Sequence, residues 1–209
     1  MNIISNNCVG GGIYKELNIQ YNNPFMWCFI TGADFFTLID KYDSIDFHNI
    51  KILNSILDKD VIAYNNTYSL NIDNKLYAHY IHYIHDDNYD TPTKKSDVTG
   101  VHSRDVLYKD AKSLCIDNYN KRLMRMNEEP IFIISQSKYS TWDEIRNCMY
   151  IKSKFKRIFL IPEKFRYDHN KLDKNCEIII QPESGCKWVH EKAKFLLANS
   201  KTLKNVINE

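Results

Sequence analysis

The chain has 209 residues and a mass of 24.8 kDa, with 44% of its residues hydrophobic and 26% charged, which fits a single domain over 1–209 with its own core. Its 28 basic and 26 acidic side chains nearly cancel to a formal +2, excluding the strong field expected of a nucleic-acid-binding or anionic-membrane protein. No apolar stretch reaches the roughly 18 residues of a transmembrane helix, and the start at Met1 lacks the basic and apolar regions of a signal peptide, so a cytoplasmic location with no transmembrane segment is expected.

In chain order, Asn2 to Ser5 reads as a strand, and Asn6-Asn7 as a turn. A helix is predicted to begin near Cys8, because Val9, Ile13 and Leu17 recur every four residues despite Gly10, Gly11 and Gly12; Asn6 or Asn7 is its candidate cap. Pro24 to Ile30 is too short for a helix, and a second helix follows from about Phe35 to Tyr42. Residues 44–85 read as antiparallel β, with runs at Val61–Tyr64, Thr67–Ile72 and Leu76–His85 separated by Asn-Asn and Asp-Asn turn signals. Asp86 to Thr99 is a polar loop. The longest helical pattern runs from Arg104 to Met126. Apolar runs at Ile131–Ile134, Arg157–Ile161 and Ile178–Ile180 then alternate with helices near Thr141–Met149 and Lys187–Asn199. Continuous apolar runs separated by helices imply strands covered on both faces, so the predicted fold is α/β, a mostly parallel sheet flanked by helices with an antiparallel β insertion.

The six cysteines, at 8, 28, 115, 148, 176 and 186, show no close spacing, so neither a disulfide framework nor a metal site is expected. Cys8 stands apart because it falls where a strand ends and a helix begins, the place where open α/β sheets bind ligands. A helix N-terminus lowers a thiol pKa and can hold an oxyanion, which makes Cys8 a candidate nucleophile; three glycines would let a thioester or diphosphate approach the backbone. The other reading is a small buried cysteine packed by a glycine-rich helix. A nucleophilic thiol needs a base, and Tyr77 to Asp86 carries His79, His82 and His85. On a strand His79 and His85 share one face and His82 the other, so the three do not converge; His85, at the edge of the polar loop, is the candidate base and His82 the more structural one. Arg122 and Arg125, three residues apart near a helix end, suit either the helix dipole or a phosphate clamp.

The run Ile3-Ile4-Ser5-Asn6-Asn7-Cys8-Val9-Gly10-Gly11 with Tyr14, followed by Leu17 to Phe25 and Trp27, resembles the opening of bacterial exopolysaccharide and capsule-locus families of unknown function, which include predicted papain-like cysteine peptidases. Pro24-Phe25-Met26-Trp27 stands where those families carry Pro-Phe-Asp-Trp, so the aspartate is missing. Ile81-His82-Tyr83-Ile84-His85-Asp86, and Tyr119 to Arg125 with Ile131-Phe132-Ile133, resemble later elements in the same order; together the matching stretches cover residues 2–30 and 78–135. A more distant likeness is to WcbI-type capsule acetyltransferases. The resemblance implies a papain-like Cys-His site with Cys8 as nucleophile, His85 as base and Asn7 shaping the turn.

The expected function is an O-acetyltransferase that moves an acetyl group from acetyl-CoA to a hydroxyl of a capsular or surface polysaccharide or its sugar precursor. Asn7, Gly10, Gly11, Arg122 and Arg125 would bind coenzyme A, and Trp27 and His82 the substrate. A papain-like peptidase or amidase needs the same dyad with a peptide groove. A non-catalytic carbohydrate-binding protein would draw on the 14 tyrosines, 10 phenylalanines and 3 tryptophans for stacking.

Overall fold

Alternate residues of a strand point to opposite faces, so an uninterrupted apolar run feeds two cores at once. The computed structural model describes residues 1–26, 28–54, 68–73, 76–80, 111–136, 140–182 and 188–208. In chain order its elements are β1 (Asn2–Ser5), α1 (Val9–Leu17), β2 (Cys28–Phe29), α2 (Gly32–Lys41), β3 (Lys51–Asn54), β4 (Tyr68–Asp73), β5 (Leu76–Tyr80), α3 (Ala111–Leu123), β6 (Pro130–Ser135), α4 (Trp142–Tyr150), β7 (Lys156–Pro162), β8 (Cys176–Gln181), α5 (Val189–Asn199) and α6 (Lys201–Asn208).

β1, β6, β7 and β8 form a parallel sheet in that spatial order, with Ser5 opposite Ile133, Ile133 opposite Ile158 and Phe159 opposite Ile178. Ile4, Phe132, Ile134, Phe159 and Ile161 face one core, which α2, α4 and residues Ile72, Leu76 and Ala78 of the second sheet complete. Ile3, Ile131, Ile133, Ile158 and Leu160 face the other, covered by α1, α5 and α6 through Val9, Ile13, Ala193, Leu196 and Leu203. The second sheet is antiparallel, in the order β2-β5-β4-β3. The predicted α/β fold with an antiparallel insertion is therefore the fold observed.

Several boundaries differ from the sequence reading for local reasons. α2 starts at Gly32 because the Thr31 hydroxyl accepts the Asp34 N–H at 3.1 Å, a side-chain cap that periodicity alone does not reveal. β3 joins the antiparallel sheet although residues 51–54 were not among the predicted runs, and the two-residue β2 is held by pairing Cys28 with Tyr80 and Phe29 with His79. The helix predicted near Lys187–Asn199 is α5, and α6 was not predicted; Ser200 leaves helical geometry and a Glu177 carboxylate reaching from β8 starts α6, accepting the Ser200 hydroxyl at 2.7 Å and the Lys201 and Thr202 N–H groups at 2.6 and 3.1 Å. The predicted strand at Val61–Tyr64, the continuation of β5 past Tyr80 and the start of the Arg104 helix lie outside the described residues.

Candidate functional site

β1 and β6 are neighbours, yet the helices that follow them leave in opposite directions: α1 packs on the core containing Ile3 and Ile133, and α4 on the core containing Ile4 and Phe132. Such a divergence opens a crevice beyond the carboxyl ends of the two strands, the usual ligand position in an open α/β sheet. Ser5, Asn6, Asn7 and Cys8 stand at that end of β1, and Ser135 at that end of β6.

The floor of this crevice is cross-linked by asparagine. Asn6 is 1% exposed and pairs its amide with the Ser135 backbone in both directions, accepting the Ser135 N–H at 3.0 Å and donating to the Ser135 carbonyl at 2.9 Å. Its own backbone continues the sheet through Asn6 N–H to Ile133 O at 3.2 Å, while its carbonyl receives the Ile30 N–H at 3.0 Å. Asn7 donates to Ser135 Oγ at 2.6 Å and accepts the Val9 N–H at 3.0 Å. The Ser5 hydroxyl donates to the Asn7 carbonyl and accepts the Gly10 N–H at 2.9 Å. Asn7 thus shapes the turn, but the N-cap position predicted for Asn6 or Asn7 is held by Cys8, whose side chain makes no cap hydrogen bond; Asn7 instead takes the Val9 N–H from one residue before the cap. Ser5 and Ser135 were not singled out in the sequence, and Asn6 only as a candidate cap, although a Ser-Asn-Asn string at a strand end is the available signal for such bracing.

Cys8 is the N-cap residue of α1 and is partly exposed, but its thiol is closely surrounded. Burial pushes it up from its ordinary 9.0 to about 12, against a smaller downward pull from its own backbone N–H. The expectation of a lowered thiol pKa is corrected here. The N–H groups of Val9 and Gly10, which would have carried the dipole's charge to a ligand, are taken by Asn7 and Ser5. Gly10 also has a packing role: a Cβ there would lie 2.7 Å from Ser5 Oγ. Gly11 is buried in the same turn, and Gly12 lets α1 approach α5, since a Cβ there would meet Val189 Cγ1 at 3.1 Å and Ala193 Cβ at 3.2 Å.

The two arginines do not converge as a clamp. Arg122 is 2% exposed, with Nη1 3.4 Å from the Met26 carbonyl and its guanidinium carbon 5.3 Å from the Tyr21 ring centroid, so it holds the 21–26 segment against the body. Arg125 lies in the turn just past α3, half-buried, and folds its Nε onto the Lys121 carbonyl of that helix at 3.1 Å. His79 stands on β5 opposite Phe29 and Ser69. Trp27, His82 and His85 lie outside the described residues. One aromatic not anticipated is Trp188, 65% exposed at the start of α5, at the same end of the sheet as Cys8. Among the described residues no three His, Cys, Asp or Glu side chains are grouped to hold a metal ion, and no helix is long and apolar enough to cross a membrane.

Fold and site together define an α/β protein with a cysteine at the first helix turn above a divergence point of its parallel sheet. The chain belongs to the family described as a domain of unknown function (DUF1919), whose model matches residues 1–167, from β1 through β7. No curated protein matches it.

Proposed function

We propose that the protein is a cysteine-dependent O-acetyltransferase, using acetyl-CoA as donor and a hydroxyl of a capsular or surface polysaccharide, or its cytoplasmic sugar precursor, as acceptor. The observation that carries this reading is the position of Cys8: a partly exposed residue with a buried thiol, just beyond the carboxyl end of β1, on a turn braced by Asn6, Asn7 and Ser135. The likeness of the Ser5-Asn6-Asn7-Cys8 segment to capsule-locus families supports the acceptor class.

A thiol held near 12 is scarcely ionised at pH 7, so its proton must leave as the bond to carbon forms. The reading gives that task to His85. Cys8 Sγ attacks the thioester carbonyl, the bond to the coenzyme sulfur breaks, and the proton taken from Cys8 passes to the departing thiolate. In the second half the acceptor hydroxyl attacks the acetyl-cysteine, its proton goes to the base, and the Cys8 thiol is restored. Arg125 remains the phosphate contact; Arg122 acts through the 21–26 segment, which leads to Trp27. His82 and Trp27 are assigned to the sugar.

The test is mass spectrometry of protein incubated with acetyl-CoA. An added acetyl group mapped to the Cys8 peptide, absent in Cys8→Ala together with transfer to glycan, is expected. Absence of the adduct, with no binding heat from coenzyme A in calorimetry, overturns the reading and leaves the peptidase and the carbohydrate-binding module as its successors.

A further inference from the structure

β8 is an edge of the parallel sheet, paired among the described residues with β7 alone. The Arg157 N–H donates to the Asn175 carbonyl at 2.8 Å, and this fixes the phase of the β7–β8 ladder: Glu177, Ile179 and Gln181 turn their backbone groups toward β7, while Cys176, Ile178 and Ile180 turn theirs outward. Of the outward N–H groups, that of Cys176 is already given to the Asp173 carbonyl at 3.0 Å, and the next outward position is Pro182, which has none. Among the described residues, the N–H and C=O groups of Ile178 and Ile180 have no partner. Among the described residues the open N–H groups of this edge are therefore those of Ile178 and Ile180, flanking Ile179, each beside its own open carbonyl.

That set is self-complementary. We infer that two copies of the chain join β8 to β8 in antiparallel fashion about a two-fold axis through Ile179, forming one continuous eight-stranded sheet. In this register Ile178 of one copy lies opposite Ile180 of the other and exchanges both hydrogen bonds with it, and the symmetric pair repeats the exchange, which uses both open N–H groups of each copy and stops where Cys176 falls opposite Pro182. Opposed residues of an antiparallel pair share a sheet face, so Ile178 covers the partner copy's Ile180, the side chain left 52% exposed in the single chain. Glu177 falls opposite Gln181, so no like charges meet. β8 carries no lysine, proline or bulge along Cys176–Gln181, the devices that normally guard an exposed edge. Room is present as well: a hollow of about 600 Å³ lies beside the strand, lined by Phe195, Asn199, Lys201 and Thr202 of the α5 and α6 region.

Sedimentation velocity from low to high micromolar concentration tests the inference. The intact chain is expected to approach twice 24.8 kDa, and Ile180→Lys to remain at the single-chain mass with an unchanged circular dichroism spectrum and melting temperature. The register is tested separately by Ile179→Cys under mild oxidation: two thiols facing across the axis in a non-hydrogen-bonded pair sit near disulfide distance, so a 179–179 cross-link should appear in the peptide map. A wild-type chain that stays at 24.8 kDa at every concentration overturns the inference, and a strand supplied by a different protein then becomes the occupant to seek. A dimer that survives Ile180→Lys and gives no 179–179 cross-link also overturns it, by placing the contact elsewhere.

Discussion

Along β1 the outward backbone groups of Ile3 are both engaged, its N–H by the Tyr14 hydroxyl at 3.1 Å and its carbonyl by the Asn23 amide at 2.6 Å; along β8 those of Ile178 and Ile180 meet nothing among the described residues. The two strands are the opposite edges of one parallel sheet. The sealed edge is the one whose end carries Cys8, and its sealing residues are polar, buried and far apart in sequence. The open edge is apolar and lies beyond the part of the chain that the family model matches. A sheet edge can be protected by the chain itself or by a partner, and here one edge follows each route.

The contrast can be broken first at its most buried point. Asn6→Ala leaves the Ser135 N–H and C=O unpaired in the interior and should cost about 2–4 kcal/mol in chemical denaturation, near the upper end for a lost side-chain bridge. Asn23→Ala uncovers the Ile3 carbonyl and the Phe25 N–H, which Asn23 accepts at 3.0 Å, and should cost about 1–3 kcal/mol by the same measurement.

At the other edge effects on the single chain shrink. Glu177→Gln removes the charge that starts α6 and should cost about 1 kcal/mol. Burial pushes the Glu177 carboxyl up, but the Ser200 and Thr202 side chains and the Lys201 and Thr202 N–H groups outweigh it and hold the carboxyl below its ordinary 4.5. A depressed carboxylate contributes stability that is present above the ordinary value and lost as pH falls through the lowered one, so the variant's deficit should fade on acidification below about pH 4.5. Ile180→Lys, outward and half exposed, should change single-chain stability by less than about 0.5 kcal/mol while abolishing pairing.

The strands of the parallel sheet were legible in the sequence because each is a short continuous apolar run, and α1 because Val9, Ile13 and Leu17 keep helical spacing across the glycines. The place of Cys8 followed from the same two patterns. Its ionisation did not, since a helix start promises free N–H groups and only the fold shows that Ser5 and Asn7 have taken those of Val9 and Gly10. That Arg122 and Arg125 do not share one face was hidden for a similar reason. Spacing of three implies a shared helix face, but α3 ends at Leu123, before Arg125, and the 21–26 segment lies over Arg122, a contact made across almost a hundred residues. β2 was hidden because two residues carry no periodicity and depend on β5 for their existence.

The central claim is that Cys8 is a reaction centre whose thiol is kept protonated until a ligand and a base arrive. Peptide-mapped iodoacetamide labelling against pH, with and without coenzyme A, tests it most directly. Cys8 should label slowly at pH 7 and about tenfold faster with each pH unit up to pH 10, as expected for a thiol near 12, and coenzyme A should slow that labelling. The same raised thiols, Cys8 and Cys148, favour the folded state below about pH 9 and withdraw that support as pH rises toward 12, so the labelling series must be read on protein shown to remain folded. A Cys8 rate that is already at its plateau at pH 7, or one that coenzyme A leaves untouched, would contradict the account.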